Sequence, residues 1–402
     1  MPIVTRSLRH HRRRRLALTA VALPGDRRLA LTAVALPGAA LLVAWSSGAA
    51  GAATGANPVS VGLPPTAVVI DHQAHTAYVA VTDGVSSQIA VVDTARCKPV
   101  ASTSCPGAVA AVHLPYGAAP SALALDAKNH TVYVADAENG GVEMINAATC
   151  SAAHKAGCAA TPKRVGLGLT APSAVAVDTS RHGDAVYVAD SGDQHVLIFS
   201  GVACNATKTG GCAKTRRVWV GGAPVAIAVD PAADTVYVAN VSGDSVSTLN
   251  RTVCSTLRAS CAAHPHAVRL GGGTAPEALL VDNSEHTLYV ADSGTNAVSV
   301  LDTATCNSIK RKTCGKTPHR LTGFGSADGL ALAAAGRVAV AAGAGDAVIV
   351  FRAASCNASS RSGCTHRTTH NLSGAPVGIA ASGGTAYAAD STMSSLDVLA
   401  VS

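Results

Sequence analysis

Four short apolar runs, SAVAVD, AVYVAD, HVLIFS and RRVWVG, follow one another between residues 173 and 221, separated by turns rich in Gly, Asp, Asn and Ser. Runs this short, rich in Val and Ile and bounded by turn residues, predict strands rather than helices. The set recurs along the chain. Aligned on Tyr78, Tyr133, Tyr187, Tyr237, Tyr289, Val338 and Tyr387, seven units appear at spacings of 49 to 55 residues. Four strands in a unit of about 50 residues is the sequence signature of a propeller blade.

The two ends of the array fit each other. The seventh unit stops at SLDVLAVS, after its third strand, while an unclaimed strand, VSVG at 59–62, stands before the first unit. Pairing that strand with the seventh unit closes the ring and removes a sheet edge that would otherwise template aggregation. The expected architecture is therefore all-β: a seven-bladed β-propeller over residues 57–402, four strands per blade, with the N-terminal strand completing the last blade.

Composition is consistent with this and adds a leader. Aromatics are only 3% of the 402 residues, so the core must be built from Ala, Val, Leu and Ile. Eight of the 31 Lys and Arg, from Arg6 to Arg28, and one of the 24 acids, Asp26, lie in the first 28 residues. Beyond them 23 charges of each sign remain, so the net charge of +7 belongs to the leader. There a basic stretch precedes an apolar run at 29–45 and the small residues SSGAAGAATGA, the order of a secretory signal with cleavage between Ala49 and Ala56. Residues 1–56 are thus read as leader and linker. An uncleaved anchor is the alternative, and Arg27 with Arg28 loosely fits a twin-arginine signal. Either route makes the protein secreted or part of the cell envelope outside the cytoplasm.

PSAVAVDTSRHGDAVYVADSGDQHVLIF and PVAIAVDPAADTVYVANVSGDSVSTL resemble the NHL and YVTN-type β-propeller repeats of secreted bacterial proteins, and the resemblance runs from about residue 58 to 402. Blade six, GLALAAAGRVAVAAGAGDAVIVF, departs from the pattern by losing the tyrosine and both recurring aspartates. The resemblance implies the fold but not a reaction, because such propellers include binding modules, lyases and lactonases. Six cysteine pairs, Cys97/Cys105, Cys150/Cys158, Cys204/Cys212, Cys254/Cys261, Cys306/Cys314 and Cys356/Cys364, fall between third and fourth strands. Their even number, close spacing on a hairpin and exported context predict six disulfides within blades, each contributing about 2.5 kcal/mol in a chain-entropy model. Blade seven has none because its third and fourth strands lie at opposite ends of the chain.

In this repeat the first strand lines the central channel, whose mouth is formed by the residue after each recurring proline: Thr66, Ser121, Ser173, Val225, Glu277, Asp328 and Val377. Glu277 and Asp328 are the candidate ligand or metal residues, and resemblance to propeller lactonases would make calcium the specific ion. The competing reading is that both are solvated loop acids, and no further cofactor is expected. Asp71, Asp126, Asp178, Asp230 and Asp282, ending first strands, and Asp136, Asp190, Asp292 and Asp390, ending second strands, are expected to cap turns. His75, His130 and His286 occupy separate blades, Asn205 opens a glycosylation sequon, and no G-x-S-x-G or H-E-x-x-H motif is present.

The six segments from each first cysteine through the fourth strand hold 17 of the 23 Lys and Arg beyond the leader and no acid. Because strands alternate in direction, these hairpins should share one face, opposite the loops carrying Asp136, Glu138, Asp190, Asp193, Asp244 and Asp292. A basic rim of Arg216, Arg217, Lys310, Arg311 and Lys312 is the candidate binding surface. Its partner would be an anionic envelope polymer, a lipid surface or a protein. With Trp219 the lone aromatic of the rim, sequence-specific nucleic-acid binding is not expected. The favoured function is an exported, non-enzymatic and monomeric binding propeller; the alternative is a metal-dependent lactonase or a lyase working at the channel mouth.

Overall fold

In the computed structural model, residues 56–99, 105–180, 183–254 and 265–401 are described. They form seven four-stranded antiparallel sheets, the blades of a β-propeller. Blade three is representative, with strands Pro172–Val177, Ala185–Asp190, His195–Ser200 and Arg216–Trp219 from the channel outward. The ring closes as the sequence predicts. Ala56–Ser60 pairs antiparallel with Ser395–Ala400, from Ala56 opposite Leu399 to Ser60 opposite Ser395. This strand begins three residues before the VSVG segment, so Ala56 already belongs to blade seven.

Burial explains why the strands read as unbroken apolar runs. Each blade is covered on both faces by its neighbors, so all six residues of a second strand such as Ala185–Asp190 are buried. Every hydrophobic cluster draws on two adjacent blades; one joins Tyr289 and Val298 of blade five to Val338 and Phe351 of blade six. The core is thus a ring of seams rather than a single center.

A tyrosine fastens most of these seams. The buried hydroxyls of Tyr78, Tyr133, Tyr237 and Tyr289 donate to the backbone carbonyls of Cys150, Cys204, Cys306 and Cys356, each the first cysteine of a cystine loop in a following blade, at 2.6 to 2.9 Å. Tyr387 of blade seven reaches Cys97 of blade one at 3.3 Å, across the closing seam. Burial pushes these tyrosine pKa values up, so the hydroxyls remain protonated donors. The threonine two residues earlier adds a second grip: the amides of Ala152, Ala206, Ser308 and Ala358 bond the hydroxyls of Thr76, Thr131, Thr235 and Thr287. The loss of the tyrosine in blade six now has a cause. Strand register puts Ala339, not Val338, at the tyrosine position. The neighboring blade seven has no cystine loop, so a tyrosine at position 339 would find no cystine-loop carbonyl to bond.

Five of the expected cystines are formed among the described residues: Cys97–Cys105, Cys150–Cys158, Cys204–Cys212, Cys306–Cys314 and Cys356–Cys364, with Cα separations of 4.6 to 4.9 Å. They are those of a protein that folds in oxidizing surroundings. The segments they close are not the plain hairpins expected from spacing. Cys158 lies in the short 3-10 turn Ala156–Ala159, and Cys105, Cys212, Cys314 and Cys364 also precede the fourth strand in non-strand backbone. The disulfide acts together with single backbone bonds beside it, such as Gly157 to Thr149, Gly211 to Ala203 and Gly363 to Ser355, to bring the second cysteine back to the end of the third strand. Cys158 and Cys212 are buried and Cys105 is half-buried, so these sulfurs serve the scaffold and form no binding site. The expected partner of Cys254, Cys261, lies outside the described residues, as does the leader.

Tyr237→Phe is expected to lower the unfolding free energy by about 1–3 kcal/mol, because the buried Cys306 carbonyl loses its donor. Urea denaturation measures this. Ala339→Tyr should destabilize as well, since it buries a hydroxyl with no cystine-loop acceptor against blade seven.

Candidate functional site

The chain direction defines two faces. First strands begin, and second strands end, at the mouth face; first strands end, and the cystine loops emerge, at the opposite, cystine face. All seven first strands carry an irregularity at their start, after the recurring proline in six blades and after Ala327 in blade six. A bulge re-aims its extra residue, and this one carries the predicted mouth residue.

Three of these residues serve the scaffold. Thr66, Ser121 and Ser173 donate to the carbonyls of Pro120, Pro172 and Pro224 of the following blade at 2.6 to 2.7 Å. Val225, Glu277, Asp328 and Val377 cannot make this bond as hydroxyls do. Glu277 is exposed, and both desolvation and the charge of Asp328 raise its pKa, while a hydrogen bond from Ser293 opposes the shift. Asp328 is half-buried and also shifted up, by desolvation. Its Oδ1 accepts from Ser326 Oγ at 2.6 Å and its Oδ2 from Gly343 N at 3.0 Å. Gly343 makes room for it, because a Cβ there would overlap Oδ2.

The mouth therefore brings the two predicted carboxylates into electrostatic contact, but it is a poor calcium site. Calcium takes six to eight oxygen ligands. Here Asp328 already accepts a hydrogen bond on each oxygen, and the Ser293 hydroxyl beside Glu277 is also turned toward the carbonyl of Ala275. No group of three or more His, Cys, Asp or Glu able to hold a metal occurs among the described residues.

Other predicted residues have structural posts. Asp71, Asp126, Asp178, Asp230 and Asp282 accept turn amides, from Gln73 and Ala74 to Ser284. Asp136, Asp190 and Asp390 do likewise, while Asp292 accepts from Ser299. His75, His130 and His286 take the left-handed position of three first turns, at φ of 47° or 48°, where blade four uses Asp234. The sequon residue Asn205 is buried. Its side-chain nitrogen bonds the carbonyls of Gly201 and Val202 and its oxygen accepts from Thr207 and Lys208, so it offers no amide for glycosylation in the folded chain.

The expected basic rim is redrawn. Lys310, Arg311 and Lys312 are exposed on the blade-five cystine loop, with no ion pair among the described residues. Arg217 instead turns toward the mouth face, bonding Asp193 at 3.0 Å and the carbonyls of Leu167 and Gly168 in blade two. Arg320 and Arg367 make similar clips, to Leu270 and Thr322 of the preceding blade. Arg216 lies on the same short strand as Arg217 and has an interaction partner.

The expected division of charge between faces is also incomplete. The first-turn aspartates, together with Asp93, Asp184, Asp234, Glu285 and Asp302, share the cystine face with the basic loops. Blades six and seven are different, because their acids, Asp328, Asp346, Asp390 and Asp397, all lie on the mouth face or mid-blade. Blade six also adds two arginines, Arg337 and Arg352, that lie outside the basic segments. A position-by-position alignment would have shown both, since the other units carry Thr or Ala at the first position and Asp, Asn, Ser or Ala at the second.

Near the mouth face, three buried carboxylates are pushed toward their neutral, protonated forms. Desolvation raises Glu143 and Asp292 to about 7 and Asp397 to about 6; Asp136 and Asp390 add to the first and last. Arg164, 3.2 Å from Glu143, offsets only part of the shift. Folded-state values above the unfolded ones mean that the folded chain binds more protons, so the stability these groups contribute is greatest below about pH 4 and falls as pH rises toward 7. Glu143→Gln should therefore raise the melting temperature at pH 8 by a few degrees, about 1 kcal/mol, and leave it little changed at pH 4. Thermal unfolding at the two pH values checks this.

No protein-family model and no curated protein sequence matches the chain. Solved structures do match in fold. Kuenenia stuttgartiensis hydrazine synthase aligns with a TM-score of 0.62 and 15% identity, over 85% of this chain and 97% of that one. The β-propeller domain of Myceliophteria thermophila Cps50 (Swd1) gives 0.60 and 9%, over 86% and 98%. Virginiamycin B lyase from Staphylococcus aureus gives 0.59 and 8%, again over 86% and 98%. At these identities the likeness is one of fold alone: the chain is a seven-bladed β-propeller.

Proposed function

We propose that the chain is an exported, non-enzymatic propeller of the NHL/YVTN kind whose cystine face docks on an anionic component of the cell envelope. The carrying observation is the run Lys310-Arg311-Lys312, exposed on a loop stapled by Cys306–Cys314 and unpaired with any acid among the described residues. A cystine holds such a loop without help from ion pairs, so its charges are free to meet a partner. The leader sequence and the cystines support a location outside the cytoplasm. The second reading, catalysis at the channel mouth, rests on Glu277 and the raised pKa it shares with Asp328.

Binding to vesicles containing phosphatidylglycerol should weaken steeply with salt. Replacing Lys310, Arg311 and Lys312 by Ser should cost about 1 kcal/mol per residue. Sedimentation with vesicles at low and high salt tests this; binding that ignores both salt and substitution overturns the reading.

A further inference from the structure

Blade six departs from the repeat most on its cystine face, and in one direction of charge. There a cleft of about 460 Å³ is lined by residues that include Arg337, Phe351, Arg352, Ser355, His366 and Arg367. Arg337 and Arg352 sit directly opposite each other on the second and third strands. Like charges at such a cross-strand pair are destabilizing. The same pair in other blades is Thr76–Asp93, Thr131–Asn146, Thr235–Asn250 or Thr287–Asp302.

The substitution costs the scaffold a second time. Asp93, Asn146, Asn250 and Asp302 use a side-chain oxygen to cap the start of the cystine loop, accepting from the amides of Ala95, Ala148, Val253 and Ala304. Arginine has no acceptor and cannot do this. The blade-five cleft shows the contrast. It is lined by Lys316, His319 and Arg361 but also by Asp302, so it carries its own countercharge. In blade six no acid lies on this face, and neither Arg337 nor Arg352 has a side-chain partner among the described residues.

The threonine that Arg337 replaces would elsewhere grip the next cystine loop, and blade seven has no such loop. Position 337 is therefore released from its structural duty. Arg367 forms a fixed wall beside it, its guanidinium bonded to the carbonyls of Cys364 and Thr322 and stacked 4.2 Å from the center of the Phe324 ring. Two unpaired guanidinium groups, the His366 imidazole and the hydroxyls of Ser355 and Thr368 are left around one space. Planar guanidinium forks match the oxygen geometry of phosphate.

We propose that this cleft is a binding site for a phosphate-type oxyanion, with Arg337 and Arg352 as its paired ligands. The group can belong to a soluble phosphate compound or to a phospholipid headgroup. The site stands independently of docking through Lys310, Arg311 and Lys312.

The test titrates inorganic pyrophosphate into the full chain by calorimetry and compares Arg337→Thr combined with Arg352→Asp, the residues the repeat uses elsewhere. Binding should weaken by about tenfold or more, while the variant, relieved of repulsion and regaining a loop cap, should melt higher than the wild type when no anion is present. Arg352→Lys, which keeps the charge but loses the fork, should fall between them. Pyrophosphate binding that persists when Lys310, Arg311 and Lys312 are changed to Ser separates the cleft from the loop. Competition by phosphatidylglycerol vesicles identifies a headgroup as the source, and its absence identifies a soluble phosphate; both support the site. Unchanged pyrophosphate affinity in the double variant overturns it, as does a double variant that melts lower without anion.

Discussion

The tyrosine hydroxyl that crosses from one blade to the first-cysteine carbonyl of a cystine loop in another is the contact on which the ring most depends. It is buried, it joins units that share no strand pairing, and it ties the apolar seam to the cystine loop. An apolar seam alone is non-directional and would tolerate sliding. A single hydrogen bond between fixed groups in a seam sets the angle at which successive blades meet. The cystine then acts beyond its own loop, because it holds the carbonyl that the neighboring tyrosine must find.

That dependence accounts for where the protein is free to vary. A blade whose successor lacks a cystine loop has no use for the tyrosine or for the threonine before it, and blade six has neither. Its tyrosine position becomes the small Ala339, but its threonine position becomes Arg337 and faces a second arginine, Arg352. Real proteins break local rules where function outweighs scaffold, and here the break is confined to one blade and one face. The mouth face follows the same logic more weakly: the proline-following hydroxyls that clip blades one to three to their successors give way to Val225, Glu277, Asp328 and Val377.

Much of the fold was legible because a repeat states each strand seven times, so blade count, strand order, closure and five of the cystine pairs followed from spacing. Local backbone and side-chain directions were not legible. Spacing paired Cys150 with Cys158, yet it could not tell a ladder hairpin from the stapled turn that the chain adopts there. Arg217 reads as part of a basic rim, yet it lies on a strand, where register decides to which end a long side chain reaches, and it turns to Asp193. The first-turn aspartates were recognized as caps, but that they share a face with the basic loops follows only from tracing the chain up and down each blade. Asn205 matches a sequon, yet the same side chain is what folds the cystine loop. Arg337 and Arg352 could have been found, since both depart from the repeat in the same unit.

Closure of the ring by Ala56–Ser60 has a kinetic consequence. Within each of the other blades the strands are neighbors in sequence, and the cystines join residues eight apart, so six blades can form as they emerge. The seventh cannot, because Ala56 must wait for Leu399. Closing so long a loop adds only modestly to the entropic cost, which grows with the logarithm of length, but it comes last and leaves two unpaired sheet edges exposed until then. The order of synthesis thus makes the final seam both the slowest step and the interval in which strand exchange between chains competes with folding.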